Sequence, residues 1–377
     1  MRNKLNVLFI CGWYPSRVLT NNGDFIQRHA EAVSLKQNVS VLHIITDKNC
    51  TKNIEFTSKK INGIQTHIAY VKKTNSRVVK LIQFCRAYLI LLKKVKPFDV
   101  VHLHELYPFG LFALHLKWLQ KKPFLISEHW SGYLTPKLKN RTFFQKIILN
   151  LITKNASFIC PVTQNLADSM EHFGLKGNYF PVPNVVDTKL FLPKKKEENE
   201  FTIIHISNMV PLKNVPQMLQ VAKKLEIEIG AFTWKFIGEK IDGFSSLIKD
   251  LQFKTANIHF INHIAHKELV KEIQNANVLV LFSDYESLPC VILEAFSCGI
   301  PVISTDVGGI KEYFPHNFGF LIEIGNKKEL LEKIKQTQQQ KLATSKEMHA
   351  YAKSNFSKEA IATIFSDLYN KALKIKY

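Results

Sequence analysis

Short β-rich apolar runs alternate along the chain with longer stretches in which apolar residues return every three or four positions. The short runs of the first half lie near Leu5–Ile10, Val39–Ile45, Ile64–Tyr70, Asp99–Leu103, Phe124–Ser127 and Phe158–Pro161. Between them Asp24–Lys36, Arg77–Lys94, Arg141–Thr153 and Gln164–Phe173 carry the helical period. The second half repeats the arrangement, with strands predicted near Thr202–Ile206, Thr233–Ile237, Ile258–Phe260, Val278–Phe282 and Pro301–Ser304. Strands alternating with helices predict βαβ units and parallel sheets. Two such series predict two doubly wound α/β domains.

The join falls in "FPVPNVVDTKLFLPKKKEENE", where three prolines precede a charge run. This puts the first domain at 1–190 and the second at 191–356, with a helix over 357–377 returning to the first domain. A chain of 377 residues is long enough for two such cores without disulfides. The six cysteines form no C-x-x-C pair and read as reduced, mostly buried thiols of a cytoplasmic protein. The opening "NKLNVLFICGWYPS" reads as a first buried strand and its loop rather than a signal peptide. No apolar run approaches the ~20 residues of a membrane-spanning helix.

Charge divides the chain unevenly. Residues 1–190 hold 27 Lys/Arg and 10 Asp/Glu, a net of +17, which leaves +3 of the total +20 for the rest. An excess of this kind predicts an anionic partner. No helix-turn-helix, finger or RNP-type motif accompanies it, so nucleic acid is not expected. The segment 71–96 has eight basic residues, no acidic ones and interleaved apolar side chains, a pattern expected of a helix lying on an anionic membrane. A core-packed helix with a solvated basic rim would read the same way.

The densest chemistry lies in "SDYESLPCVILEAFSCGIPVISTDVGG" (Ser283–Gly309). Glu286 follows the strand ending at Phe282, on the edge of a parallel sheet where ligands bind. Pro289 suits the first turn of a helix that runs to about Cys298 and stops at Gly299. On that helix Glu294 shares a face with Val291, Ala295 and Cys298, and a carboxylate so placed needs hydrogen-bond donors. Sugar hydroxyls are such donors. Two exposed glutamates favouring a helix N-terminus would satisfy the pattern equally.

This segment resembles the E-x7-E signature of the family 4 retaining glycosyltransferases, two-domain GT-B proteins that use nucleotide-diphosphate sugars. The resemblance implies two Rossmann-like domains facing a central cleft. It implies that Glu286 contacts hydroxyls of the donor sugar and Glu294 the ribose diol, with Ser287 and Leu288 beside them in the donor site. "IIHISNMVPLKN" is similar to the family's phosphate-binding turn, with Lys213 at the lysine position and Asn208 where an arginine is usual. Lys213 would offset charge on the departing diphosphate. "NNGDFIQRHAEA" stands where the family carries Gly-Gly before a helix, so Gly23 is a candidate for contact with a phosphate or sugar oxygen. A turn needing positive φ would explain it as well. "PFLISEHWSGYL" resembles the acceptor-domain strand ending in His, which implies that His129 faces the donor sugar. Glu105 and Glu128 are weaker candidates for a general base.

The resemblance implies retention at the anomeric carbon and transfer to a saccharide or lipid-linked saccharide, in cell-surface polysaccharide or lipopolysaccharide synthesis. No Asp-x-Asp is present for a metal-bridged nucleotide, so no metal or other cofactor is expected. A non-hydrolysing sugar-nucleotide epimerase of the same architecture, and a non-catalytic sugar-nucleotide-binding relative, are the competing readings.

Overall fold

The computed structural model describes residues 4–21, 23–134, 142–195, 200–340 and 342–375. Asn22 and Arg141, the latter at the start of one predicted helix, lie outside them. The chain divides into two compact units: Met1–Val185 with Lys358–Tyr377, and Val186–Ser357.

The first unit contains β1 (Asn6–Cys11), α1 (Asp24–Ser34), β2 (Asn38–Asp47), β3 (Ile54–Ile61), β4 (Ile64–Lys72), α2 (Arg77–Leu92) and β5 (Val100–His104). It continues with α3 (Gly110–Gln120), β6 (Phe124–Glu128), α4 (Phe143–Asn155), β7 (Phe158–Pro161) and α5 (Gln164–His172). The seven strands form one sheet in the order β3-β4-β2-β1-β5-β6-β7. All pairs are parallel except β3 with β4. Strands such as β5 and β6 are buried along their whole length, as a sheet covered by helices on both faces requires.

The edge strand β3 was not anticipated. Its sequence, "IEFTSKKI", puts charged residues on one half-exposed strand, so no apolar run marks it. The turn that closes its hairpin does carry a signal. Asn62-Gly63 both take positive φ, 48° and 81°, as a two-residue turn between twisted antiparallel strands demands.

The second unit contains β8 (Thr202–Ser207), α6 (Val215–Ile229), β9 (Thr233–Gly238), α7 (Ser245–Leu251), β10 (Asn257–Asn262) and α8 (His266–Asn275). After these come β11 (Val278–Leu281), α9 (Cys290–Cys298), β12 (Val302–Thr305), β13 (Gly319–Ile322), α10 (Lys327–Gln339) and α11 (Ser345–Phe356). Its sheet is parallel throughout, in the order β10-β9-β8-β11-β12-β13. A final helix, α12 (Lys358–Lys374), belongs to the first unit. There Ile361, Phe365, Leu368 and Tyr369 join Phe9, Ile26 and Leu125 in one buried cluster.

Each sheet reverses its strand order once, between β1 and β5 in the first unit and between β8 and β11 in the second. At such a point the loops leaving the two strands diverge and open a crevice at the carboxyl edge. At the first point Gly23 follows β1 and Glu105 follows β5, and at the second Lys213 follows β8 and Glu286 follows β11.

Candidate active site

In the second unit Lys213 follows β8 and Glu286 follows β11, so the crevice rule predicts that they meet. The Lys213 ammonium forms an ion pair with the Glu286 carboxylate, and both side chains are largely buried. Neither group could be desolvated alone without large cost.

The turn carrying Lys213 is braced from below. Met209 and Asn214 both hold positive φ, 46° and 55°, which non-glycine residues seldom adopt. Asn214 Nδ2 donates to the Phe282 carbonyl at 3.1 Å and to Asp284 Oδ1 at 2.6 Å. The Asp284 N–H returns a bond to the Leu212 carbonyl at 2.9 Å. These three bonds tie the β8 loop to the β11 loop and fix the distance between their functional side chains.

A second brace runs through His205, fully buried on β8. Its Nδ1 lies 2.9 Å from the Val280 carbonyl, which only accepts, so Nδ1 carries the proton. Nε2 then accepts from Ser207 Oγ at 2.8 Å, and that hydroxyl oxygen accepts the Met209 N–H at 3.0 Å. Burial is the main influence on the ring and lowers its pKa to about 4; the bond to Val280 opposes this and the Lys213 charge adds to it. His205 is thus a neutral prop for the strained turn. Sequence reading passed over His205, Ser207 and Asn214 as functional residues. The signal present was a His-x-Ser pair on one face of an apolar strand.

Glu294 is buried on α9, one turn from its start. The helix begins at Cys290 rather than at Pro289, which caps it. It ends at Gly299, with φ 74°, where a side chain would overlap Ser345 of α11. Leu288 is buried, and the Ser287 carbonyl accepts from Gly309 N–H at 3.3 Å. Asn208 is exposed at the end of β8. Glu286, Lys213, Ser287 and Leu288 therefore gather on one edge, with α9 delivering Glu294.

The first unit places His129 after β6. Its Nδ1 lies 3.1 Å from Asn184 Oδ1, and it packs on Phe25 and His29, with ring centroids 4.7 and 5.2 Å away. Burial, then the neighbouring His29, hold its pKa well below the usual histidine value, against the bond to Asn184. The ring is neutral at physiological pH. Glu128 does not fit a general base. Its carboxylate accepts from the backbone N–H groups of Leu106, His129 and Trp130 at 3.2, 3.0 and 3.0 Å, which makes it a loop brace. Gly23 has φ 83°, and a Cβ there would sit 2.5 Å from the Trp13 and Tyr14 backbone. Backbone packing alone therefore requires a glycine at this position.

Among the described residues no group of three or more His, Cys, Asp or Glu is arranged to hold a metal.

Two family models match the chain, Glycosyltransferase Family 4 over residues 39–190 and Glycosyl transferases group 1 over residues 187–355. The chain belongs to the family 4 glycosyltransferases. This glycosyltransferase is 31% identical over 160 residues to N-acetyl-alpha-D-glucosaminyl L-malate synthase of Bacillus anthracis, covering 38% of the chain and 40% of that relative. It is 26% identical over 245 residues to an uncharacterized glycosyltransferase of Methanocaldococcus jannaschii, covering 63% and 64%. The matched region is thus less than two thirds of either relative's length. Among solved structures, sucrose-phosphate synthase from Thermosynechococcus elongatus superposes with a TM-score of 0.77 at 17% identity, covering 98% of this chain and 99% of that one. Anabaena HepE in complex with UDP-glucose gives 0.71 at 16%, covering 98% and 100%. These likenesses identify the GT-B fold. The family assignment does not favour the epimerase.

Proposed function

We propose that the protein is a retaining glycosyltransferase that moves a sugar from a nucleotide-diphosphate sugar to a saccharide or lipid-linked saccharide, in cell-surface polysaccharide or lipopolysaccharide synthesis. The observation that carries this reading is the Lys213–Glu286 pair at the strand-order reversal of the second sheet. It offers one cation for the diphosphate and one carboxylate for sugar hydroxyls at a single place.

In this mechanism the pair keeps both charges compensated until the donor arrives. The diphosphate then takes the Lys213 ammonium, which offsets negative charge as the glycosidic bond to phosphate breaks. Glu286, released from the pair, accepts from donor-sugar hydroxyls. Glu294 accepts from the two ribose hydroxyls, with Ser287 and Leu288 bordering the donor. Asn208 leaves the turn one cation short of the family pattern, so Lys213 carries more of the leaving-group stabilisation. Neutral His129 accepts or donates a single hydrogen bond to the donor sugar, and Gly23 brings backbone near it. The acceptor hydroxyl attacks on the face the diphosphate leaves and passes its proton to the departing phosphate oxygen, with no enzyme nucleophile and no metal.

Exposed apolar and basic residues of α2 support a peripheral position on the cytoplasmic face of an anionic membrane. Among the described residues no helix is long and apolar enough to cross one.

A thermal-shift series with UDP-, GDP- and ADP-sugars tests donor binding, since a ligand that binds only the folded state raises apparent stability. UDP-glucose is the first choice, because it occupies the HepE structure. One donor is expected to raise the melting temperature, and Glu294→Ala to abolish the rise. No shift with any donor, or an undiminished shift in the variant, would overturn the reading.

A further inference from the structure

We propose that a cavity in the first unit holds the hydrocarbon chain of a phosphate-linked lipid acceptor, with Arg77 and Lys80 receiving the phosphate. The inference rests on the glycosyltransferase reading and names the acceptor class. The cavity has a volume of about 890 Å³ and is walled by α2, α3 and the loops after β1 and β5. Those two loops leave the sheet at its strand-order reversal, the place where an open α/β sheet receives ligands.

The chemistry of the walls changes along α2. The chain leaves β4 at Lys72 on the carboxyl edge, so the first turn of α2, with Arg77 and Lys80, lies near that edge and later residues descend from it. Glu105 stands on the same edge, packed so closely on Gly12 that a Cβ at residue 12 would meet its carboxylate. Farther along α2 the lining becomes Phe84, Tyr88 and Leu89, facing Phe109 and Phe112 at the start of α3. Tyr88 stacks on Phe112 with centroids 4.0 Å apart and planes 2° from parallel, and its hydroxyl is engaged by His115 Nδ1 at 3.0 Å. A sugar or nucleotide would leave this apolar wall in contact with water, at a cost proportional to its area. A hydrocarbon chain covers it.

Charge selects the head group. Residues 71–96 carry eight basic side chains and no acidic one, which favours a phosphate at the mouth. It also disfavours a second copy of the same surface. The outer face of α2 supplies the route. Val78 and Ile82 are 66% and 60% exposed, and Leu81 and Leu89, which are also exposed, line the cavity too. Leu81 and Leu89 therefore belong both to the exposed apolar residues of α2 and to the cavity wall. A bilayer can cover the outer stripe, whereas only a single chain can enter between α2 and α3.

Calorimetry at monomeric concentrations of farnesyl diphosphate, farnesol and inorganic pyrophosphate tests this directly. Farnesyl diphosphate is expected to bind at least tenfold tighter than either fragment. Leu81→Glu with Leu111→Glu, at exposed positions of the lining, is expected to weaken it at least tenfold. Ile227→Glu, at a more exposed position on α6, is expected to leave it unchanged. Arg77→Glu with Lys80→Glu is expected to erase the preference for diphosphate over farnesol, and serves alone if the leucine variant does not fold. Absence of binding, or binding that neither variant changes, overturns the inference. The UDP-glucose thermal shift is read on the same samples. A retained donor shift without chain binding refutes the cavity assignment alone, and loss of the donor shift in the parent protein refutes the reading beneath it.

Discussion

Replacing His205 with leucine separates a structural histidine from a catalytic one through pH. At pH 7.5 the variant loses the bond to the Val280 carbonyl and the acceptor for Ser207, leaving a buried carbonyl unpaired. Losses of this kind cost about 2–3 kcal/mol. The wild-type ring has its own liability, because burial lowers its pKa to about 4. The unfolded chain protonates near pH 6.5 and the folded one does not, so stability is lost as pH falls from about 6.5 toward 4. Between pH 7.5 and 4.5 that difference amounts to about 2.5 kcal/mol for one such histidine. The variant has no proton to take up there. Its deficit against the parent is therefore expected at pH 7.5 and to shrink to near zero at pH 4.5. Urea unfolding followed by tryptophan emission reads this, since Trp234 is fully buried in the same unit and is that unit's single tryptophan. A deficit of the same size at both pH values would refute the neutral-prop assignment.

Other expectations follow from neighbouring features. Gly238, at the end of β9, has φ 150° and would place a Cβ 1.6 Å from the Ser207 carbonyl oxygen, so Gly238→Ala should destabilise the second unit by at least about 2 kcal/mol and weaken donor binding. An unchanged melting temperature and donor affinity would contradict the close approach. Lys213→Ala should lower kcat by roughly 100-fold, the scale of losing one preorganised charge at a leaving group. A change confined to KM would assign Lys213 to ground-state binding instead. Turnover is expected to survive excess chelator, and its abolition with recovery on added magnesium would refute the metal-free mechanism. The protein should pellet with anionic vesicles and not neutral ones at low salt, each basic residue near the surface contributing about 1 kcal/mol. Equal pelleting would rule out the basic helix as a membrane contact.

What was legible from sequence is the part written in apolar runs and in motif text. Strands β5, β6 and β11 are buried end to end, and β1 is buried beyond its first residue, so their sequences announce them. The stop at Gly299 was legible because only glycine suits both a left-handed φ and contact with Ser345. Strand β3 escaped because an edge strand buries little, and its Asn-Gly turn was the sole mark. Glu128 stood as a weaker candidate for a general base because sequence shows a carboxylate at a strand end and not the three amides that it accepts from.

The supports of the site were harder to read for a related reason. A functional pair such as Lys213 and Glu286 belongs to a recurring pattern, and strand order alone explains why two loops 73 residues apart converge. Their spacing, however, is set by Asn214, Asp284 and His205, whose roles exist only through partners on another strand. Within an apolar run His205 has no feature separating it from any core histidine; its function is defined by the Val280 carbonyl and the strained Met209 turn together. The same logic bears on Asn208. With an exposed amide where a second cation would stand, the local field rests on Lys213, and the geometry of Lys213 rests on these braces. Asn208→Arg should therefore raise turnover by a larger factor in the His205→Leu background than in the parent protein, and an equal factor in both would show that the two positions act independently.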